Sequence, residues 1–370
     1  MNPLDELRAA RPSHLGDAPV DPHTRQSELS RAFAQPQPVR RKNLKPVWGI
    51  GVVGAAAAVT AVAVLGSSAG GGTVPRAPAS VQADAPPVAF TAKQLLLVAA
   101  TSAAKEPTPN GKYWYMKTRS RSLMAVDGGY VMASEQDGES WLGDGSQWHK
   151  YQSLGTKPAT AADQAAWEAA GSPATMSAGI GKKRLQVSTA AGKPYTDKYR
   201  SKYVYWLGRN VTLADMRALP SDEAKLKASL LKYYTGASTE AASVPMAEDA
   251  WLFTVAGNLV IDAPVTPEVR AAAFRMLADL PSVESLGRVT DSTGRSGTAI
   301  AIETDSKTQV DDPDKGVLQD RLIIDEKSGR ALAREYVVVK PGGFQKGLKV
   351  GDIASASTLV DSGWVDTRTA

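Results

Sequence analysis

The sequence predicts an α+β fold: one N-terminal transmembrane helix, then a domain in which a large antiparallel sheet, with an open half-barrel as one of its forms, packs against helices. Three observations predict it. Residues 47–65 are uncharged and follow a basic stretch; aromatic, alternating runs separated by Asp-Gly pairs fill residues 112–154, and alternating runs return after residue 284; between these, residues 212–280 carry helical periodicity and caps. Strands, then helices, then strands indicate one domain with segregated layers.

Residues 1–39 read as a flexible cytoplasmic tail with two short helical candidates, the second capped by Asp21 with Pro22 at its first position. Residues 40–66 are the basic stop and the transmembrane helix. Val47 to Leu65 approaches the roughly 20 residues that span a hydrocarbon core of about 30 Å. Trp48 stands at the edge, where an indole favours the interface, and Arg40, Arg41, Lys42 and Lys45 precede it, which keeps the tail inside and sends the rest across the cell membrane. Gly49, Gly51 and Gly54 also spell a dinucleotide fingerprint, but no strand precedes them and no acidic residue stands between Glu28 and Asp84 to hold a ribose, so no cofactor is expected. A cleaved export signal is the alternative to a retained anchor: Arg-Arg-Lys-Asn-Leu-Lys resembles a twin-arginine motif, and Ala77-Pro78-Ala79 is a small-residue cleavage site. Either delivers the remaining chain outside.

Residues 67–88 are a Gly/Ala/Pro linker, and residues 89–370 form the extracytoplasmic α+β domain. Thr91 and Gln94 make a capping box, so a helix starts at Ala92 and runs to about Lys105. A meander follows, with turns expected at Asp127-Gly128, Asp137-Gly138 and Asp144-Gly145. An Ala-rich helix near 161–170 leads to a strand pair, 183–189 and 202–208. Ser221 is the expected cap of the next helix, a helix over 247–260 follows, and Thr266 with Pro267 opens the third, whose apolar stripe ends before Pro281. The last strands are 284–290, 297–304, 319–325, 331–340 and 353–364, with Gly294 and Gly329 in turns that need positive φ.

Composition removes several chemistries. The 370 residues include no cysteine, which excludes disulfides, thiolate nucleophiles and iron–sulfur ligands. The net charge of +5 divides unevenly: residues 1–46 have eight Lys/Arg against five Asp/Glu, and the nearly balanced remainder, 35 against 33, offers no footprint for nucleic acid. Of three histidines only His149 lies beyond the tail, and it reads as a strand-surface residue; no metal site is expected. The stretch from Asp311 to Gly316 fails the EF-hand spacing at Pro313 and Lys315. In Tyr-Trp-Tyr-Met, Tyr113 and Tyr115 alternate with Trp114 and Met116, and Tyr203 and Tyr205 alternate with Val204 and Trp206. A sheet apolar on both faces must be covered on both; Trp114, Met116 and Trp206 either join a two-sided core or line an apolar groove.

The basic stop, the Ala/Gly/Val-rich span, the capped helix, Trp141-Leu142-Gly143-Asp144-Gly145-Ser146-Gln147-Trp148 and the segment from Leu280 to Ile302 continuing at Leu322 to Glu335 together resemble an actinobacterial family of single-pass membrane proteins. That resemblance implies company with extracytoplasmic-function sigma factors and an anti-sigma-like or sensor role. The outer domain is similar to the convex-sheet, helix-plugged fold of lipoprotein carriers and periplasmic sigma regulators. The tail departs from zinc-type anti-sigma domains in having no His-x3-Cys-x2-Cys pattern. The expected function is a non-enzymatic, membrane-anchored sensor whose tail docks a sigma factor and whose outer domain takes an apolar ligand or an envelope protein. The alternatives are a lipid or lipoprotein carrier of the envelope, and a cell-wall carbohydrate-active enzyme or binder.

Overall fold

Thr91 accepts from the Gln94 amide at 3.2 Å and Gln94 Oε1 accepts from the Thr91 amide at 3.0 Å, so the capping box is present and α1 (Ala92–Ala103) starts where the sequence requires. The computed structural model describes residues 90–107, 110–180, 183–239, 244–305 and 315–368. The expected anchor with Arg40, Arg41, Lys42, Lys45 and Trp48, and most of the acidic stretch from Asp311, lie outside the described residues.

β1 (Tyr113–Ala125) and β2 (Val131–Gly143) form a long hairpin turned at Asp127-Gly128, with Gly129 at φ 77°. β3 (Gln147–Pro158) follows from the Asp144-Gly145 turn. The third expected turn does not form: Asp137 and Gly138 lie inside β2. Asp137 accepts a forked pair from Arg119 across the ladder at 2.7 and 2.9 Å, and a Cβ on Gly138 would lie 3.1 Å from Thr118 Oγ1 and 3.8 Å from the Tyr151 ring. Cross-strand pairing outweighs local turn propensity there.

α2 (Ala161–Ala169) is capped by Thr160. The next strands pair differently from expectation: β4 (Thr175–Ile180) pairs with β5 (Lys183–Ser188), β6 (Tyr195–Tyr199) joins β3, and β7 (Tyr203–Trp206) pairs with β8 (Arg209–Thr212). Leu207 at φ 47° and Gly208 at φ 79° make the last turn, the two positive φ values that close a two-residue hairpin. Segments 183–189 and 202–208 are therefore not partners.

α3 (Leu213–Arg217) precedes α4 (Glu223–Leu231), whose cap is Asp222 accepting from Lys225 at 2.9 Å; Ser221, the expected cap, stands one residue too early. α5 (Glu248–Ile261) is buried on nearly every side, and α6 (Pro267–Ala278) is capped by Thr266 with Pro267 at its start. β9 (Glu284–Thr290), β10 (Ser296–Asp305), β11 (Val317–Ile324), β12 (Ala331–Lys340) and β13 (Ile353–Val365) complete the fold.

Nine strands form one antiparallel sheet in the order β6-β3-β2-β1-β13-β12-β11-β10-β9; it is open, with β6 and β9 at its edges. The main core lies between one face and the helices: Leu96, Trp251, Phe253 and Phe274 meet Trp114, Leu142, Ile300 and Leu322. Between helix and sheet sits a buried ion pair. Arg334 donates to Asp320 at 2.8 Å and, from its other arm, to Asn258 Oδ1 at 2.6 Å, tying β12 to β11 and α5. Burial lowers the Arg334 pKa, but the charge and hydrogen bond of Asp320 together with nearby Tyr336 and Asp262 outweigh it and hold the guanidinium above its ordinary value.

The opposite face carries a smaller apolar cluster of Ala299, Ile323 and Ala333. Toward β1 and β2 that face turns ionic, with Arg119–Asp137 at 2.7 Å, Arg121–Glu135 at 3.5 Å and Lys157–Glu135 at 2.8 Å. Of the two aromatic runs, the start of β1 carries buried or half-buried residues on both faces. In β7 the alternation is one-sided: Tyr203 and Tyr205 are each 41% exposed.

Candidate functional site

Trp114 and Trp206 belong to the same buried core, and Trp114 Nε1 donates to the Asp262 carbonyl at 2.9 Å. Trp206 reaches that core from the small β7–β8 hairpin rather than from the large sheet. Met116 is half-buried two positions along β1 from Trp114. The structure places both tryptophans in one core and leaves Met116 in a different row.

That row runs across four strands. Register aligns Met116, Ser140, His149 and Asp197 on β1, β2, β3 and β6, and side chains of paired residues share a face. His149 is only 4% exposed, so it is not the surface histidine the sequence suggested. Its ring lies parallel to Tyr151 at 6.2 Å and tilted to Tyr199 at 5.6 Å, and Tyr151 meets Tyr195 at 5.6 Å. The repeated tyrosines of β3 and β6 cover it. Burial lowers the His149 pKa against the opposing pull of Asp197, so the imidazole is held neutral. Ser140 Oγ, Gln147 Oε1 and His149 Nε2 are buried with no hydrogen-bond partner among the described residues. Serine, histidine and aspartate thus stand in line without the serine–histidine bond that activates a nucleophile.

A second arrangement lies at the end of the sheet. A cleft of about 600 Å³ is bounded by the start of β1, the β2–β3 turn, α3 and the end of β13; its lining includes Lys112, Tyr113, Asp144, Ser146, Arg217 and Trp364. Arg217 stacks on Trp364 at 3.6 Å from the ring centre, and Lys112 Nζ lies 5.3 Å over Tyr113. Trp364 rests against Trp114 at 5.6 Å, which connects the cleft floor to the core. Leu213 and Met216 bury the inner side of α3 and so fix Arg217 on the outer side. Two glycines let the walls close. A Cβ on Gly143 would lie 2.6 Å from the Tyr113 ring, and one on Gly111 would lie 2.7 Å from the Val365 amide. Beyond Tyr113, Trp148 stands edge-on at 5.5 Å and carries Lys198 and Arg368 over its ring at 5.4 and 5.5 Å.

Sequence reasoning missed this cleft. Asp144-Gly145 was legible as a turn and Trp364 as a strand residue, but no local signal joins residues 112, 217 and 364.

Among the described residues no group of three or more His, Cys, Asp or Glu side chains is arranged to hold a metal ion. No helix among them is long and apolar enough to cross a membrane. Comparisons with protein-family models, with curated proteins and with solved structures found no match to this chain.

Proposed function

We propose that this chain is a single-pass, membrane-anchored regulatory protein whose outer domain binds a ligand and whose N-terminal tail engages a cytosolic partner of the sigma-factor class. The topology rests on the uncharged run from Val47 to Leu65 behind Arg40, Arg41, Lys42 and Lys45. The observation that carries the binding role is the cleft at the sheet end, assembled from segments near residues 112, 145, 217 and 364 and floored by aromatic rings. Such a concave site with a few convergent polar groups is what recognition requires. The topology is tested with reporters fused after Ala370. Activity outside the cytosol is expected; activity confined to the cytosol refutes the anchor. The partner is tested by affinity capture with the full chain from membranes, where failure to recover any sigma factor under any condition removes the anti-sigma-like role.

A carrier of lipids or lipoproteins is the second reading, favoured by a sheet that stays open with helices against one face. It requires acyl chains that travel with the protein in native mass spectrometry.

A further inference from the structure

We infer that the cleft at the end of the sheet is a binding site for an anionic sugar, a saccharide unit bearing a carboxylate or a phosphate, with Arg217 as the oxyanion receptor. This rests on the reading of the outer domain as a binding domain and goes further by naming the ligand class.

The argument starts from charge. Many cations of this domain face a carboxylate: Arg119 faces Asp137, Arg270 faces Glu106 and Arg334 faces Asp320. Arg217 and Lys112 differ. Among the described residues neither makes an ion pair, and each lies instead against an aromatic ring. A guanidinium stacked on an indole has its plane fixed, so its forked N–H groups point away from the ring edge with little rotamer freedom left to lose. That fork matches the two oxygens of a carboxylate or phosphate, and a planar bidentate contact is stronger and more directional than a point charge. Lys112 adds a second positive group to the same cleft.

The rest of the lining suits a sugar body. Asp144 accepts hydrogen bonds from hydroxyls, Ser146 both donates and accepts, and the edges of Tyr113 and Trp364 provide apolar contact. An acidic side chain within a basic cleft is unfavourable for a bare inorganic anion and favourable for an anion that carries hydroxyl groups. The volume of about 600 Å³ lies within the range of small-molecule sites. Lys198 and Arg368, stacked on Trp148 beyond Tyr113, extend the positive rim and draw anions toward the opening.

The experiment is calorimetric titration of the full chain with glucose 6-phosphate, glucuronate and glucose. At least one anionic sugar is expected to bind ten-fold or more tightly than glucose; the one that does identifies phosphate or carboxylate as the recognised group. Arg217→Gln is expected to weaken that binding at least ten-fold. Arg217→Lys is expected to fall between, because it keeps the charge and loses the fork. Arg209→Gln removes a guanidinium stacked 4.2 Å over Tyr233, outside the cleft, and is expected to bind as the parent does. Thermal melting of each variant separates lost binding from lost folding, and Lys112→Gln repeats the test should Arg217→Gln melt early. The inference is overturned if neither anion binds better than glucose, if folded Arg217→Gln binds like the parent, or, should Arg217→Gln not fold, if folded Lys112→Gln binds like the parent. Failure here leaves the reporter and sigma-factor tests untouched, and a cytosolic reporter would leave this binding chemistry in place.

Discussion

Replacing Asp262 with asparagine should stabilise the protein at neutral and alkaline pH and destabilise it by about 1–3 kcal/mol at acid pH, where the parent carboxyl is already neutral. Asp262 caps the C-terminal end of α5; its Oδ1 is buried without a partner among the described residues. Burial pushes its pKa from the ordinary 3.8 to about 7, more than the nearby Arg334 charge can offset. The folded state therefore holds a proton that the unfolded chain releases near pH 4. Wherever the folded state binds more protons than the unfolded one, stability falls as pH rises, here from about pH 4 to about pH 7, and it is constant beyond. The interval spans about three pH units at ~1.4 kcal/mol each, which sets a ceiling of about 4 kcal/mol. Asparagine removes the ionisation but brings an amide that needs partners, at a cost of about 1–3 kcal/mol. The net gain at pH 8 is then about 1–3 kcal/mol, several degrees in Tm at roughly 2–4 °C per kcal/mol for a large domain. Melting followed by near-UV circular dichroism from pH 4.5 to 8 checks this. The difference between Asp262→Asn and the parent should grow from pH 4.5 to about pH 7 and then level off. A difference that stays constant with pH refutes the reasoning, because it would mean that Asp262 does not change protonation between the folded and unfolded states.

Three further outcomes follow from the same geometry. His149 is held neutral by burial, so stability is fully present above the imidazole's ordinary 6.5 and is lost as pH falls below it; His149→Gln should reduce the drop in Tm between pH 7 and 5. Arg334→Met strands Asp320 in the core and should cost about 3–5 kcal/mol in chemical denaturation, whereas Arg334→Met with Asp320→Leu should cost clearly less than the two changes summed. Gly143→Ala places a methyl group against the Tyr113 ring; it should cost about 1–3 kcal/mol, alter the near-UV signal of the Tyr113–Trp148 pair and weaken any cleft ligand.

Much of the fold was legible because its signals are local. Thr91 with Gln94, Thr266 with Pro267, and the glycines of the turns at 294 and 329 act within a few residues of themselves, and each appears as the sequence requires. The strands of the C-terminal half alternate strongly, and β9 and β12 match the expected segments residue for residue. The failures have a different origin. Asp137-Gly138 has the composition of a turn, but Arg119 and Tyr151, held opposite by β1 and β3, keep it extended. β4, β6 and β8 are too short to show a period. His149 looked like a surface residue because the tyrosines that bury it stand on a neighbouring strand some 50 positions away as well as beside it. The cleft was illegible for the same reason, since Arg217 and Trp364 lie far apart in the sequence and meet only through the folded chain.

The place of β13 in the middle of the sheet makes one strand the seam of the whole layer. β13 is the last of the described strands, yet it alone joins the meander that begins with β1 to the one that ends with β12. Before β13 pairs, the two meanders share only the helical core on one face, in which Trp114 and Leu142 meet Ile300 and Leu322, and the pairing of β1 with β13 is the kind of non-local contact that slows folding. Without β13 the nine-stranded sheet would fall into two smaller sheets, held together only by the helices that pack against both.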